Sequence, residues 1–291
     1  MSDDVLFEIE DGIATITLNR PEKLNAANVG MLTRIIDLFD RTDADDDVRA
    51  VIVTGSGRAF CAGADLDSAG SPFDASGADY ESSGRDLGGE VTLRVFRSLK
   101  PVIAAINGPA VGFGASFVLP MDIRLLADSA KVGFVFGARG VVPDGAASWF
   151  LPRIVGLPRA LEWSLTARLL TAEQALAGGL VSGVHPPAEL LAAARAIARE
   201  ISTNVAPVSA ALTRQMMWRM AGAAHPMEAH IVDSAAIRHT GSAPDAVEGV
   251  RAFLEKRPAT WSMAPSRDLP AWFPFQEPAF TAIDEEGQPP A

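Results

Sequence analysis

Apolar runs broken by glycine set the order of elements through the first two thirds of the chain. From Phe7 to Leu18, Ile16 and Leu18 alternate with Thr15 and Thr17 around an Asp11-Gly12 turn signal, which predicts a β-hairpin. Asn28 stands where a helix N-cap belongs, and Leu32, Ile35, Ile36 and Phe39 follow at helical spacing. The acidic run Asp43 to Asp47 predicts a solvated turn. Ala50 to Thr54 and Pro101 to Ile106 are short unbroken apolar runs, the pattern of buried strands. Between them, residues 67–89 are rich in Gly, Ser and Asp without periodicity and predict a long mobile loop. A helix is expected over Glu90 to Leu99 and a short one over Ala115 to Leu119. Strands are expected near Ile123 to Ala127 and Lys131 to Phe134. This alternation of strands and helices predicts an α/β fold with parallel strands.

From Thr171 the pattern turns helical. Thr171-Ala172-Glu173-Gln174 has the form of a capping box. Helical segments are predicted over Glu189 to Ile201, Pro207 to Met220, Met227 to His239 and Asp245 to Lys256. The expected organisation is an α/β core over 1–201, a helical part over 202–262 and a tail over 263–291. The tail holds many prolines, and acids near its end. It is expected to be either disordered or an arm packing Trp272, Phe273 and Phe275 on a neighbour.

Two of the buried-strand patterns are followed by glycine-rich turns. After Ala50 to Thr54 comes Ala59-Phe60-Cys61-Ala62-Gly63-Ala64-Asp65-Leu66. After the second run comes Asn107-Gly108-Pro109-Ala110-Val111-Gly112-Phe113-Gly114. A strand turning into a helix at small residues leaves backbone N–H groups unpaired and directed outward. Two such turns together would hold one oxyanion between the N–H groups of Ala64 and Phe113. The plainer reading is a pair of ordinary tight turns, and either one alone does not exceed it.

Composition narrows the partners. A formal charge of −11 over 291 residues argues against nucleic acid or an anionic membrane surface. The single cysteine, Cys61, excludes a disulfide framework and a cysteine zinc site. No apolar run reaches the roughly 18 residues of a membrane span, and the acidic N-terminus lacks a signal-peptide layout. A soluble cytoplasmic protein is expected.

Asp144, in Pro143-Asp144-Gly145-Ala146-Ala147, is the only acid between Asp128 and Glu162. It reads equally as a general acid/base in an apolar setting or as a helix N-cap. Ser116 lacks the final glycine of a nucleophile elbow, so a core serine is the expectation. Gly108, Gly112 and Gly114 do not complete a dinucleotide fingerprint. His185, His225, His230 and His239 share no ligating face, so no metal site is expected. Cys61 has no neighbouring histidine and reads as a small core residue.

These turns and their order resemble the crotonase family, also called the enoyl-CoA hydratase/isomerase family. The likeness runs from about Phe7 to Trp261. It includes Asn19-Arg20-Pro21-Glu22-Lys23-Leu24-Asn25-Ala26, the Ala-Gly-Ala-Asp turn, Lys100 to Gly108, Leu169-Leu170-Thr171-Ala172 and Ala177-Gly178-Gly179-Leu180-Val181. The resemblance implies an α/β spiral of repeated ββα units followed by a C-terminal helical trimerisation subdomain. A homotrimer or a dimer of trimers is the implied assembly. It also implies an acyl-CoA thioester as substrate, with coenzyme A as part of that substrate and no other cofactor. The thioester oxygen would lie between Ala64 and Phe113. CoA would pass Lys23, Leu24, Ala62, Asp65 and Leu66, with Phe253 and Lys256 reaching the nucleotide from a neighbouring subunit.

The chain departs from the usual hydratase pattern at two positions. Ser116 and Phe136 stand where typical hydratases carry two glutamates, while Asp144 falls where some isomerases and a dehalogenase carry their catalytic aspartate. The resemblance therefore assigns Asp144 as the single acid/base. Phe113, Phe134, Phe136, Trp149 and Phe150 are expected to make an apolar acyl pocket. Hydration, double-bond shift, dehalogenation and hydrolysis all stay open, as does a non-catalytic acyl-CoA-binding role.

Overall fold

The computed structural model describes residues 4–66 and 84–281. A six-stranded sheet carries β1 (Val5–Glu10), β2 (Ile13–Leu18), β3 (Ala50–Gly55), β4 (Val102–Ile106), β6 (Ile123–Ala127) and β9 (Gly183–His185), in that spatial order. Only the β1–β2 pair is antiparallel. Asp11 (φ 52°) and Gly12 (φ 72°) both lie in the left-handed region, as a tight two-residue hairpin requires. β4 is buried throughout and β3 along all but its last residue. That explains why they read as unbroken apolar runs rather than alternating ones.

A second, three-stranded sheet joins β5 (Ala110–Val111), β7 (Lys131–Gly133) and β8 (Leu169–Thr171). Isolated bridges at Cys61–Ala110 and Ala27–Ala64 continue its direction into the first glycine turn. From β4 onward the chain passes between the two sheets, β4 to β5, β6 to β7 and β8 to β9, with helices after β5 and β7, which is the repeated ββα pattern.

Helix α1 (Val29–Ala44) is capped by the Asn28 side chain, which accepts from Met31 N–H. The acidic run that begins in its last turn is not simply solvated. Asp43 takes the Arg94 guanidinium at 2.7 Å and the Leu99 N–H at 2.9 Å. Helix α2 (Leu87–Arg97) begins before the expected Glu90, because Asp86 caps it by accepting from Gly89 N–H. Of the loop expected over 67–89, residues 67–83 lie outside the described residues and 87–89 are helical. Helix α3 (Phe113–Phe117) also starts early, at Gly112 with φ 56°. A helix start after Asp144 is one of its two readings, and α4 (Ala147–Val155) is there; the pattern did not announce α5 (Leu157–Thr166). The first starts from a left-handed Ala146 and holds Pro152, and Gly156 separates the two.

The helical half comprises α6 (Ala172–Ala177, with the expected capping box), α7 (Pro187–Asn204), α8 (Pro207–Met220), α9 (Pro226–Thr240) and α10 (Pro244–Glu255). The expected boundary at 201–202 falls inside α7. Helix α8 is fastened to the core by buried Arg214. Its guanidinium pairs with Asp122 at 2.8 Å and donates to the carbonyls of Val95, Phe96, Ser98 and Pro120. Asp122 in turn accepts from Val102 N–H and Trp218 Nε1. By contrast α9 and α10 bury little, and Ile231, Ile237, Val247, Val250, Phe253 and Leu254 stand exposed.

The tail follows the short helix α11 (Pro265–Asp268), and its residues 282–291 lie outside the described residues. It lies on its own chain as far as residue 281. Glu277 accepts from Arg97 Nε at 2.6 Å and from Arg219 Nη2 at 2.5 Å. Arg219 stands between the rings of Phe96 and Phe275 (4.9 and 5.3 Å to their centroids), and Arg85 covers Phe280 at 5.1 Å. Trp272 and Phe273 pack edge-on against Phe275. Among the described residues, no helix is long and apolar enough to cross a membrane.

Candidate active site

The two glycine turns lie backbone against backbone. Cys61 N–H donates to Pro109 O at 3.1 Å, and Val111 N–H donates back to Cys61 O at 2.9 Å. A side chain at Gly114 would begin 2.2 Å from Cys61 O, so only glycine permits this approach. One at Gly112 would begin 3.8 Å from Gly63 Cα, which brings the two turn apices side by side.

Most N–H groups of the turns are committed: Ala62 to Leu24 O, Asp65 to Ala27 O and Gly112 to Gly133 O. Those of Ala64 and Phe113 donate to no acceptor among the described residues. The Phe113 N–H opens α3, where the first helical donors have no intrahelical partner. Its ring is buried and stacks on Phe117 with centroids 5.5 Å apart, which fixes the backbone rather than presenting the ring to a ligand.

Asp144 enters from a third element. Gly145 (φ 59°) and Ala146 (φ 53°) reverse the chain just before α4. The Asp144 side chain does not cap that helix, which begins at Ala147 with no side-chain cap, so the N-cap reading of Asp144 is set aside. A side chain at Gly145 would begin 3.0 Å from Thr92 Cγ2 and 3.2 Å from Ser116 Cβ, so this loop sits against α2 and α3. Asp144 Oδ1 is buried without a hydrogen-bond partner. Burial pushes the carboxyl up from 3.8 to about 6; the Ser116 hydroxyl works against that rise and the negative charge of Asp86 adds to it. Ser116 and Asp144 face each other without reaching hydrogen-bonding geometry. Cys61 is buried beside the first turn and its thiol is pushed up to about 12, chiefly by desolvation. It stays protonated and is no nucleophile at neutral pH.

Three elements thus meet: two N–H donors, a carboxyl that titrates near neutrality, and a wall of small residues. Such an arrangement stabilises an oxyanion next to a group that can take or give a proton. A family model described as Enoyl-CoA hydratase/isomerase matches residues 8–264. The chain belongs to that family. Similar proteins include the enoyl-CoA hydratase ACTT3 of Alternaria alternata, 42% identical over 248 residues covering 85% of this chain and 82% of the relative. The 1,2-epoxyphenylacetyl-CoA isomerase of Escherichia coli K12 is 34% identical over 263 residues, covering 88% and 97%. A crystal structure of a probable enoyl-CoA hydratase/isomerase from Mycobacterium abscessus superposes with a TM-score of 0.82. It is 35% identical and covers 89% of this chain and 98% of that one. The chain therefore has the crotonase-like α/β fold and is an acyl-CoA-processing enzyme at the level of this family.

The structure gathers Leu24, Ala62, Ala64 and Asp65 at the first turn through the backbone bonds of Ala62 and Asp65. Lys23 and Leu66 are exposed. The Asp65 carboxylate pairs with Arg20 at 2.7 Å. Phe253, 82% exposed, and Lys256 lie at the C-terminal end of α10. Of the aromatics expected around an acyl group, Phe134 and Phe150 are closed in the core and Phe136 nearly so. Trp149 keeps part of its ring open. Trp149 and Phe150 belong to an aromatic cluster with Phe96 and Trp218. An open groove of about 660 Å³ beside α10 includes Glu248, Arg251 and Arg257, but its arginines are already paired with Glu248 and Glu255. Among the described residues no group of side chains could hold a metal ion.

Sequence reasoning missed Asp86. It stands in a stretch without periodicity, and its only signal was an acid placed just before Leu87, Val91 and Val95, which recur at helical spacing.

Proposed function

We propose that the protein binds an acyl-CoA with its thioester oxygen between the N–H groups of Ala64 and Phe113, and that Asp144 moves a proton at the carbons next to the thioester. The observation that carries this reading is the pair of uncommitted N–H groups on abutting turns, beside a carboxyl whose affinity for a proton is raised by burial. Negative charge that develops on the thioester oxygen meets donors held in place before the reaction, and losing one such donor costs on the order of 10²–10³ in rate. Asp144 is mostly ionised above about pH 6 and so acts as a base at neutral pH. CoA runs past Lys23, Leu24, Ala62, Asp65 and Leu66. Phe253 and Lys256 of a neighbouring copy lie over its nucleotide, and Trp149 borders the acyl group. The exposed apolar faces of α9 and α10 support a homotrimer or a dimer of trimers.

The test is incubation with 2-enoyl- and 3-enoyl-CoA in deuterated water, beside Asp144→Asn, with products and label followed by mass spectrometry. A hydrated or double-bond-shifted product that vanishes in the variant supports the assignment. Label or product that survives in Asp144→Asn removes this residue from the chemistry.

A further inference from the structure

The peptide that carries the Ala64 N–H carries the Gly63 carbonyl on its opposite edge. Ala27 N–H bonds that carbonyl at 2.7 Å, and Asp65 N–H donates to Ala27 O at 2.9 Å. These two bonds make the parallel bridge between Ala27 and Ala64. In such a bridge the bonds go to the residues on either side of the central one. The Ala64 N–H is therefore turned away from Ala27, and its aim depends on how the segment 24–27 is held against the turn. Gly63 (φ 107°), without a Cβ, adds no stiffness of its own.

That segment follows an unusual path, with Leu24 (φ 53°) and Asn25 (φ 55°) both in the left-handed region. Asn25 is fully buried. Its Nδ2 donates to Ser56 O at 2.9 Å and Ala59 O at 2.8 Å, and its Oδ1 accepts from Arg20 N–H at 2.8 Å. The Arg20 side chain then crosses from the segment to the turn. Its Nη1 donates to Ala26 O at 2.5 Å and its Nη2 to the Asp65 carboxylate at 2.7 Å. The two paired side chains are only 13% and 12% exposed. A guanidinium is a rigid planar fork, so bonds from its two ends fix an angle as well as a distance.

We propose that Arg20 is a positioning residue, which holds the Ala64 N–H on the thioester oxygen through the Asp65 carboxylate. The inference rests on the acyl-CoA reading above. It gives the Asp65 side chain a task other than contact with CoA. Ala27 fixes the donor peptide from behind, and Arg20 fixes the residue that follows it. A misplacement of about 1 Å costs on the order of 10² in rate, even when its origin lies away from the reacting atoms.

The experiment reads the donor directly, by infrared difference spectra of butanoyl-CoA isotope-labelled at its thioester carbonyl. Hydrogen bonds to that oxygen lower its stretching frequency on binding. The proteins are wild type, Asp65→Asn and Arg20→Lys; the last keeps the charge without the fork. Binding of S-butyl-CoA, a thioether without the oxygen, is measured beside it, together with turnover of a 2-enoyl-CoA and thermal unfolding. In Asp65→Asn the stretch should return towards the value of free butanoyl-CoA, and kcat should fall about 10²-fold with KM moved less. Arg20→Lys should fall between the two, and it carries the same test should Asp65→Asn not fold. Affinity for S-butyl-CoA should stay level. A wild-type stretch in the variants overturns the proposal, and a lowered Tm beside it would make the pair a staple of the fold alone. Equal loss of affinity for butanoyl-CoA and S-butyl-CoA also overturns it, since Asp65 would then contact CoA. A wild type that binds butanoyl-CoA without lowering its stretch overturns the two-donor site and this proposal together. One that binds neither ligand overturns the acyl-CoA reading itself.

Discussion

Replacing Asp144 with Asn should make the protein more stable at neutral pH while removing its activity. The cause is the carboxyl's raised proton affinity in the fold, from 3.8 to about 6. Below pH 4 the carboxyl is protonated both folded and unfolded, so it contributes nothing to the difference. Between 4 and 6 the unfolded chain ionises while the folded one resists, and stability falls as pH rises. Above 6 the loss is complete. At about 1.4 kcal/mol for each tenfold change in proton affinity, the wild type loses roughly 3 kcal/mol across that window. The burial of Asp144 is what sets this figure. Asparagine has no charge to desolvate, so the variant escapes the loss. For a chain of this size the gain corresponds to about 5 °C in Tm. Thermal unfolding of both proteins from pH 4 to 8 measures it. The gap should open between pH 4 and 6 and stay level above. A gap that is constant with pH, or one that closes as pH rises, would show that burial does not raise the proton affinity of Asp144 and would remove that support from the acid/base assignment.

Asp86→Asn keeps an oxygen able to cap α2 but removes a charge that opposes ionisation of Asp144. Its pH–rate profile should keep its shape with the acidic limb moved to lower pH; an unmoved limb would leave Asp86 as a cap alone. Gly114→Ala places a methyl 2.2 Å from Cys61 O and must spread the two turns. Acyl-CoA turnover should drop by about 10²–10³ if one N–H donor moves out of reach, which steady-state kinetics on the folded variant will read. Arg214→Met strands Asp122 and four backbone carbonyls, and chemical denaturation should register a loss of about 3–5 kcal/mol.

What the sequence made legible follows from which forces are local. Apolar runs and turn glycines act within a few residues, so β3, β4 and both glycine turns could be read from Ala50 to Thr54, Pro101 to Ile106 and the small residues after them. The same holds for Asn28 and Thr171, whose capping partners lie three residues away. Helix α4 was legible only as the alternative reading at Asp144, and α5 escaped; a left-handed Ala146, Pro152 and the break at Gly156 contradict the signals that mark a helix. The role of Arg214 depends on carbonyls some hundred residues distant, and nothing near it predicts a buried charge. Asp144 could be picked out as an isolated acid. Its choice between cap and acid/base rested on Gly145 and Ala146 both turning left-handed, a matter of backbone path. For Ser116, no local pattern says whether a hydroxyl has found a partner.

The tail beyond residue 264 falls outside the stretch that the family model matches, yet it supplies Glu277 to two arginines on different helices. A chain cut where its family likeness stops would leave the Arg97 and Arg219 guanidinium groups with no anion between them, beside Phe96 and the cluster that continues into Trp149. Repulsion there would act on the C-terminal end of α2, the helix that Asp86 caps. Residues 265–281 thus supply a counterion shared by two helices of their own chain, and their loss would be felt as repulsion between Arg97 and Arg219 rather than as a missing appendage.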